Sequence, residues 1–421
     1  MDLIFAEATP PGRGGVSIVR ISGEGARAAV ERLAGPLPQP RRAYLRDIHD
    51  KDDMLDRVLV TWFEAGGSFT GEEVAEIHLH GAPVILRRLG QILSENGLRL
   101  AEAGEFTRRA FLNGRMDLSE VEGLGDLLAA ETESQRRIAL RTSSGELARK
   151  ADGWRSLLIR AGALVESSVD FADEDVPEEV PSEVFDLLSR FRKDLDEQIA
   201  GYAAAERIRN GFEVAIIGPP NAGKSSLLNR IARREVALVS EIAGTTRDII
   251  ELRLDLRGLA VTLLDTAGLR ESQDRIESLG IYRARARAAA ADLRLHLSPE
   301  GNIDETLWQE GDLRVISKAD LQGDLPGMAV SSWTGQGLDL LLDQIFSTLS
   351  DRTAGAALVS HQRQLNALLE AREALDQVEG LPPELLAEAI RHSAQSLDRL
   401  LGRIGAEDYL DVIFTSFCIG K

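Results

Sequence analysis

The eight residues GPPNAGKS, Gly218 to Ser225, directly follow the apolar run Phe212 to Ile217 and open a helix-forming stretch. An apolar strand, a loop with a glycine at each end, then Lys-Ser at a helix start is the local order of a phosphate-binding loop. Its backbone N–H groups converge on a polyphosphate, Lys224 reaches the terminal phosphates and Ser225 can hold Mg²⁺. The pattern predicts an α/β domain that binds a nucleoside triphosphate through Asn221, Ala222, Gly223, Lys224, Ser225 and Ser226.

Three later segments narrow the base. GTTRD (Gly244 to Asp248) is followed by an apolar hairpin from Leu252 to Leu264 turning at Arg257-Gly258, and then by DTAG, Asp265 to Gly268. A strand ending in Asp and followed by a nearby Gly suits a switch, because that Gly's N–H can move with the γ-phosphate. The strand expected at Leu313 to Ile316 ends in SKAD, where Lys318 and Asp320 face the base. Asp320 can accept both donors on the guanine edge, and adenine offers no such pair. Order and spacing therefore predict a guanine-nucleotide domain.

The remaining composition sets limits. A chain of 421 residues accommodates two to four domains. No apolar stretch approaches membrane-spanning length, and the N-terminus has neither a basic leader nor a long apolar segment, so neither secretion nor insertion is expected. One cysteine, Cys418, fits a reducing cytoplasm, and no Cys/His cluster has zinc spacing. The formal charge of −19 opposes non-specific nucleic-acid binding without forbidding a structured RNA. Local basic groups (Arg108-Arg109; Arg136-Arg137 with Arg141; Arg283, Arg285 and Arg287) read as solvated helix faces.

Residues 1–117 alternate strand-like segments (Val16 to Ile21, Arg57 to Phe63, Val74 to Leu79) with Gly/Pro turns, and predict an α+β domain. From Leu118 the period becomes helical, with Trp154, Leu158, Ala161 and Val165 on one face, and Asp173 to Val184 reads as a connection. After the nucleotide-binding segment the helical period returns: Leu386, Ile390, Leu397 and Ile404 mark a face, with Pro382-Pro383 as its start. The expected organisation is one discontinuous helical domain, 118–210 and 351–421, carrying an inserted GTPase domain at 211–350.

Hydrolysis needs a group that orients water. Leu269 occupies the position after DTAG where Ras-like GTPases place glutamine, so the group must come from elsewhere, and Glu271, Asp274 and Glu277 all follow. The carbonyl of Asn221 could help hold a monovalent cation, or the residue could simply support the turn.

Taken together with ATPPGRGGVSIVRISG, TGEEVAEIHLHGAP, GEFTRRAFLNGRMDLSEVE and the terminal FCIGK, these motifs resemble the MnmE (TrmE) family of tRNA modification GTPases over essentially the whole chain. The resemblance implies an N-terminal folate-binding domain through which the protein forms a homodimer, and an inserted Ras-like GTPase domain whose potassium-dependent pairing activates hydrolysis. It implies that Asn221, Ser240, Ile242 and Thr245 bind K⁺, that Ser225 and Thr246 bind Mg²⁺, and that Thr245, Thr246, Asp265 and Gly268 contact the nucleotide. Glu277 would orient the attacking water. Arg20, Glu76, Arg115 and Lys421 would bind a tetrahydrofolate derivative (5-formyl- or 5,10-methylene-tetrahydrofolate), and Cys418 would take part in the modification. The family acts with FAD-dependent MnmG on C5 of the wobble uridine of certain tRNAs, adding an aminomethyl or carboxymethylaminomethyl group.

Some residues depart from the family pattern. Arg115 stands where Lys is commoner, turning a point charge into a fork. Ser317 replaces the Asn of NKxD, which predicts weaker nucleotide affinity with specificity kept by Asp320. LRLHLSPEGN, Leu293 to Asn302, reads as a poor central strand and predicts an irregular sheet there. Two other classes of protein share parts of the pattern: a ribosome-assembly GTPase switch, which usually appends a KH-like segment not found here, and a folate-dependent one-carbon transferase with a regulatory GTPase.

Overall fold

The computed structural model describes residues 2–51, 53–170, 180–234, 236–238, 251–265, 275–322, 326–405, 410, 413–415, 417 and 420, without the side chains of 169, 170, 275–281 and 283. The chain forms two compact units, one built from Met1–Gly125, Ala148–Arg155 and Ala394–Lys421, the other from Asp126–Leu147 and Ser156–Ser393.

In the first unit six strands form one sheet: β1 (Ile4–Glu7), β2 (Gly14–Ser22), β3 (Tyr44–Asp50), β4 (Asp53–Phe63), β5 (Val74–Gly81) and β6 (Arg99–Leu100), in the order β3-β4-β5-β2-β1-β6. Neighbours are antiparallel except β1 and β6. Strand alternation explains the packing. Val19, Ile21, Val58, Val60, Ala75, Ile77 and Leu79 form a core with the helices Ala26–Ala34 and Pro83–Glu95. The alternate positions Arg20, Glu76, His78 and His80 are partly or fully exposed. Residues from distant parts of the chain complete this unit: Leu118 and Val121 pack with Leu410, Phe414 and Phe417.

Arg109 is not on a solvated helix face. Its side chain is 4% exposed and ion-paired with Asp2, Glu72 and Glu105. A buried guanidinium needs such partners. Arg136, Arg137 and Arg141 do lie at the surface, where they pair with Glu133 and Glu146.

The second unit contains the sheet β11-β10-β7-β9-β8, formed by β7 (Phe212–Ile217), β8 (Glu251–Leu256), β9 (Leu259–Asp265), β10 (Leu293–Ser298) and β11 (Leu313–Ile316). All neighbours are parallel except the β8–β9 hairpin. Arg257 and Gly258 both adopt positive φ, 53° and 93°, as a tight two-residue hairpin turn requires.

The segment expected to be irregular is a regular strand: β10 pairs in unbroken register with β7 and β11, and all six residues are buried. Its polar side chains find partners, although the buried His296 Nε2 makes no hydrogen bond. Arg294 Nε donates to both oxygens of Asp312 at 2.9 and 2.8 Å, and its Nη1 donates to the carbonyls of Ala289 and Ala291. His296 Nδ1 accepts the Asp304 N–H at 3.1 Å, and the ring lies 5.0 Å from Trp308. A sequence pattern cannot display these long-range partners.

Helices flanking the nucleotide-binding segment pack on one another. Ser182–Ala200 meets Gln362–Glu373 through Arg372 to Asp196 at 2.6 Å, and Leu358 N–H donates to Gln198 at 3.2 Å. Trp154, Leu158, Ala161 and Val165 are buried as their spacing predicts, and so are Leu386, Ile390 and Leu397. Ile404 is exposed, because the helix from Pro383 ends at Leu400 and glycines 402 and 405 follow with positive φ.

Candidate nucleotide and folate sites

Parallel strands deliver the candidate nucleotide residues to one edge, the carboxyl ends where such sheets bind ligands. β7 runs into the Gly218 loop, Asp265 closes β9 in register with Ile216, and β11 runs into Ser317 to Asp320.

The two loop glycines serve different purposes. A Cβ on Gly218 would collide with the Leu297 carbonyl, so the adjacent strand excludes any side chain. Gly223 has open space around it but φ of 96°, and it precedes the helix Lys224–Ala232. Asn221 takes the left-handed conformation at φ 63°, exposed at the loop, while Ala222 is buried beneath it. Lys224 is buried, and its Nζ donates to the carbonyls of Gly218 at 2.7 Å and Pro219 at 3.0 Å. The ammonium is thereby held inside the curl of the loop. Ser225 Oγ donates to Asp265 Oδ2 at 2.5 Å, joining the end of β7's loop to the end of β9, while Ser226 is exposed on the next helical position. A hydroxyl beside a carboxylate is a suitable oxygen set for Mg²⁺.

At the base end, Asp320 is exposed and its Oδ1 accepts the Ser331 hydroxyl at 2.5 Å. Lys318 sits in the left-handed region at φ 59°. Ser317 is 3% exposed, and its Oγ makes no hydrogen bond. Ser331 belongs to none of the sequence motifs. The signal available was a small polar residue closing the apolar run Met328 to Val330, which pairs alongside β11 through Ile316.

On the first unit's sheet Arg20 and Glu76 are direct cross-strand partners, bonded from Arg20 Nε to Glu76 Oε1 at 2.9 Å. The guanidinium lies 5.8 Å from the ring centres of both Phe69 and Phe106. Arg115 is exposed, its stem beside Gly71. The tail reaches this unit as well: Gly420, at φ 100°, packs so closely on the Glu7 carbonyl that a Cβ would collide with it. Ser240, Ile242, Thr245, Thr246, Gly268, Cys418 and Lys421 lie outside the described residues. Glu277 falls on the helix Arg275–Ala290, with its side chain outside the described set.

A largely parallel sheet whose glycine-bounded Lys-Ser loop, acidic strand end and SKAD turn share one edge defines a P-loop GTPase, here joined to an α+β domain and a set of helices. Residues 3–115 match the GTP-binding protein TrmE N-terminus and residues 118–418 the MnmE helical domain. The chain is 63% identical over 421 residues to the tRNA modification GTPase MnmE of Paracoccus denitrificans (strain Pd 1222), covering 100% of both chains. It is 52% identical over 429 residues to the protein of the same name from Dinoroseobacter shibae and 51% to that of Cereibacter sphaeroides (strain ATCC 17025), again covering 100% of each chain. The chain belongs to the tRNA modification GTPase MnmE family, and it is a GTP hydrolase. Among the described residues, no helix is long and apolar enough to cross a membrane, and no group of three or more His, Cys, Asp or Glu is placed to hold a metal.

Proposed function

We propose that GTP hydrolysis by this chain drives the attachment of an aminomethyl or carboxymethylaminomethyl group to C5 of the wobble uridine in certain tRNAs. The chain acts in the cytoplasm as a homodimer with FAD-dependent MnmG, and a tetrahydrofolate derivative supplies the one-carbon unit. In sequence, a folate-binding domain at 1–117 is followed by a helical domain formed by 118–210 and 351–421, into which a GTPase domain at 211–350 is inserted.

The roles are those the family resemblance implies, and the donor chemistry of the residues is compatible with them. Lys224 neutralises the terminal phosphates, Ser225 and Thr246 hold Mg²⁺, and Lys318 and Asp320 read guanine. Leu269 cannot orient water, and the family resemblance gives that role to Glu277; it likewise gives K⁺ to Asn221 with Ser240, Ile242 and Thr245, where the ion would offset charge developing on the phosphates. Glu76 suits the donor edge of a pterin, while Arg115 and Lys421 suit the carboxylates of the glutamate tail. Cys418 serves the modification and not hydrolysis.

The observation that carries this reading is the meeting of the chain's two ends, Gly420 against Glu7, which brings a tail like the family's FCIGK to the domain bearing Arg20 and Glu76. The test is reconstitution of the full chain with its FAD-dependent partner, GTP and unmodified tRNA, using tetrahydrofolate labelled in the one-carbon unit. Label should enter the wobble uridine; unlabelled product of normal yield would contradict the folate role. Hydrolysis should be faster in KCl than in NaCl, and equal rates would remove the role of potassium.

A further inference from the structure

Beside Glu76 the N-terminal sheet holds three ionisable groups that none of these roles uses, His78, His80 and Asp56. On β5, Glu76, His78 and His80 alternate with the buried residues Ala75, Ile77 and Leu79. His80 is the outermost, with its side chain 70% exposed, and its Nδ1 lies 2.7 Å from Oδ1 of Asp56, whose side chain is 8% exposed. Asp56 grips the backbone too: Oδ2 accepts the His80 N–H at 2.8 Å, and Oδ1 accepts the Arg57 N–H at 2.8 Å. An ionised Asp56 makes Nδ1 the donor, and Nε2 is then left as the working nitrogen of the imidazole. A buried carboxylate that fixes both the main chain and the ring of an exposed histidine gives that ring one orientation.

The neighbours on the same strand also retain unused capacity. Glu76 Oε1 is taken by Arg20, whereas Oε2 faces His78 Nε2 at 3.4 Å. That nitrogen is shielded from solvent and makes no hydrogen bond. At about 3.3 Å per residue, His78 stands roughly 7 Å and His80 roughly 13 Å along the strand from Glu76. A flat ligand anchored by its donor edge at Glu76 and extended along β5 would pass both imidazoles.

We propose that His80 is the proton-transfer residue for one-carbon release at this face, with Asp56 as its positioning residue; the inference rests on the folate reading of Arg20 and Glu76. His80 enters the step as the imidazolium, with Nδ1–H on Asp56, and gives its Nε2 proton to the folate nitrogen that carries the one-carbon unit, as the nitrogen–carbon bond breaks and its electron pair stays on nitrogen. A primary amine or ammonia forms the new bond to that carbon with its own lone pair and returns a proton to Nε2. Atoms and electrons balance, and this transfer needs no oxidant. Asp56 holds Nδ1–H and stabilises the charged ring in each cycle.

The experiment compares the full-length wild type with His80→Gln and Asp56→Asn. Calorimetric titration with 5-formyltetrahydrofolate in buffers of different ionisation heat measures affinity and the protons exchanged on binding. The wild type should bind with a net proton change, while His80→Gln should bind within about threefold and lose that change. Reconstituted tRNA modification should fall about 100-fold in His80→Gln at saturating folate, the low end of general acid–base contributions, with GTP hydrolysis unchanged. Asp56→Asn, which retains the imidazole, should lower the turnover number of modification about 10-fold and leave the folate KM within threefold; it serves alone if the first variant does not fold. A wild type that does not bind the folate ends the folate reading and this inference with it. A wild type that binds, beside a His80→Gln or, failing that, an Asp56→Asn variant that modifies tRNA at the normal rate, overturns the inference alone.

Discussion

Ser225 donates its hydroxyl to Asp265 at 2.5 Å, so the first helical turn of the phosphate loop and the end of the neighbouring strand meet where Mg²⁺ is proposed to sit. Ser225→Ala removes one oxygen from that pair and leaves Lys224 in its carbonyl cradle. Hydrolysis should fall roughly 100-fold and require more MgCl₂ for half-maximal rate, a loss on the scale of one removed transition-state donor. An unaltered magnesium curve in steady-state assays would contradict the assignment.

Ser317 is buried beside the turn proposed to read the base, with its hydroxyl unbonded. Ser317→Asn adds the reach to use that position, and one recovered hydrogen bond should tighten GDP binding roughly threefold to tenfold. Titration calorimetry should show this gain while the preference for GDP over ADP stays with Asp320. Ser331→Ala should weaken GDP binding, because it frees the Asp320 carboxylate from the hydroxyl that orients it.

Burial holds His296 below the usual histidine range, outweighing the opposing pull of Asp312. The unfolded chain therefore takes up this proton more readily than the folded one. The stability involved is present above the ordinary histidine value and is lost as pH falls from there toward the depressed folded value. Urea unfolding of the full chain should weaken between neutral and mildly acidic pH, and His296→Gln should flatten that slope even if its stability at neutral pH is lower.

Gly420 touches Glu7 too closely for any side chain. Gly420→Ala should displace the tail from β1 and abolish most tRNA modification, while GTP hydrolysis remains within about twofold because the phosphate loop is untouched. A drop in hydrolysis equal to the loss of modification would contradict this separation.

Much of the candidate nucleotide site's local backbone is legible in the residue order. Phe212 to Ser225, the Arg257-Gly258 turn and SKAD each carry their geometry within a few positions. What escaped depends on distant partners. Leu293 to Ser298 looked too polar for a central strand because Asp312, which neutralises Arg294, lies on another segment. Arg109 looked solvated because Asp2 and Glu72 come from far earlier in the chain. Ser331 and the Asp56–His80 pair were missed for the same reason: neither forms a motif until strand pairing sets its partners side by side.

Nucleoside analysis of total tRNA from cells lacking this chain tests the central claim most directly. Wobble uridines that carry the C5 aminomethyl-type group in wild-type cells should appear without it, restored by the wild-type gene and not by one encoding Lys224→Ala. Fully modified wobble uridines in the deleted strain would contradict the account.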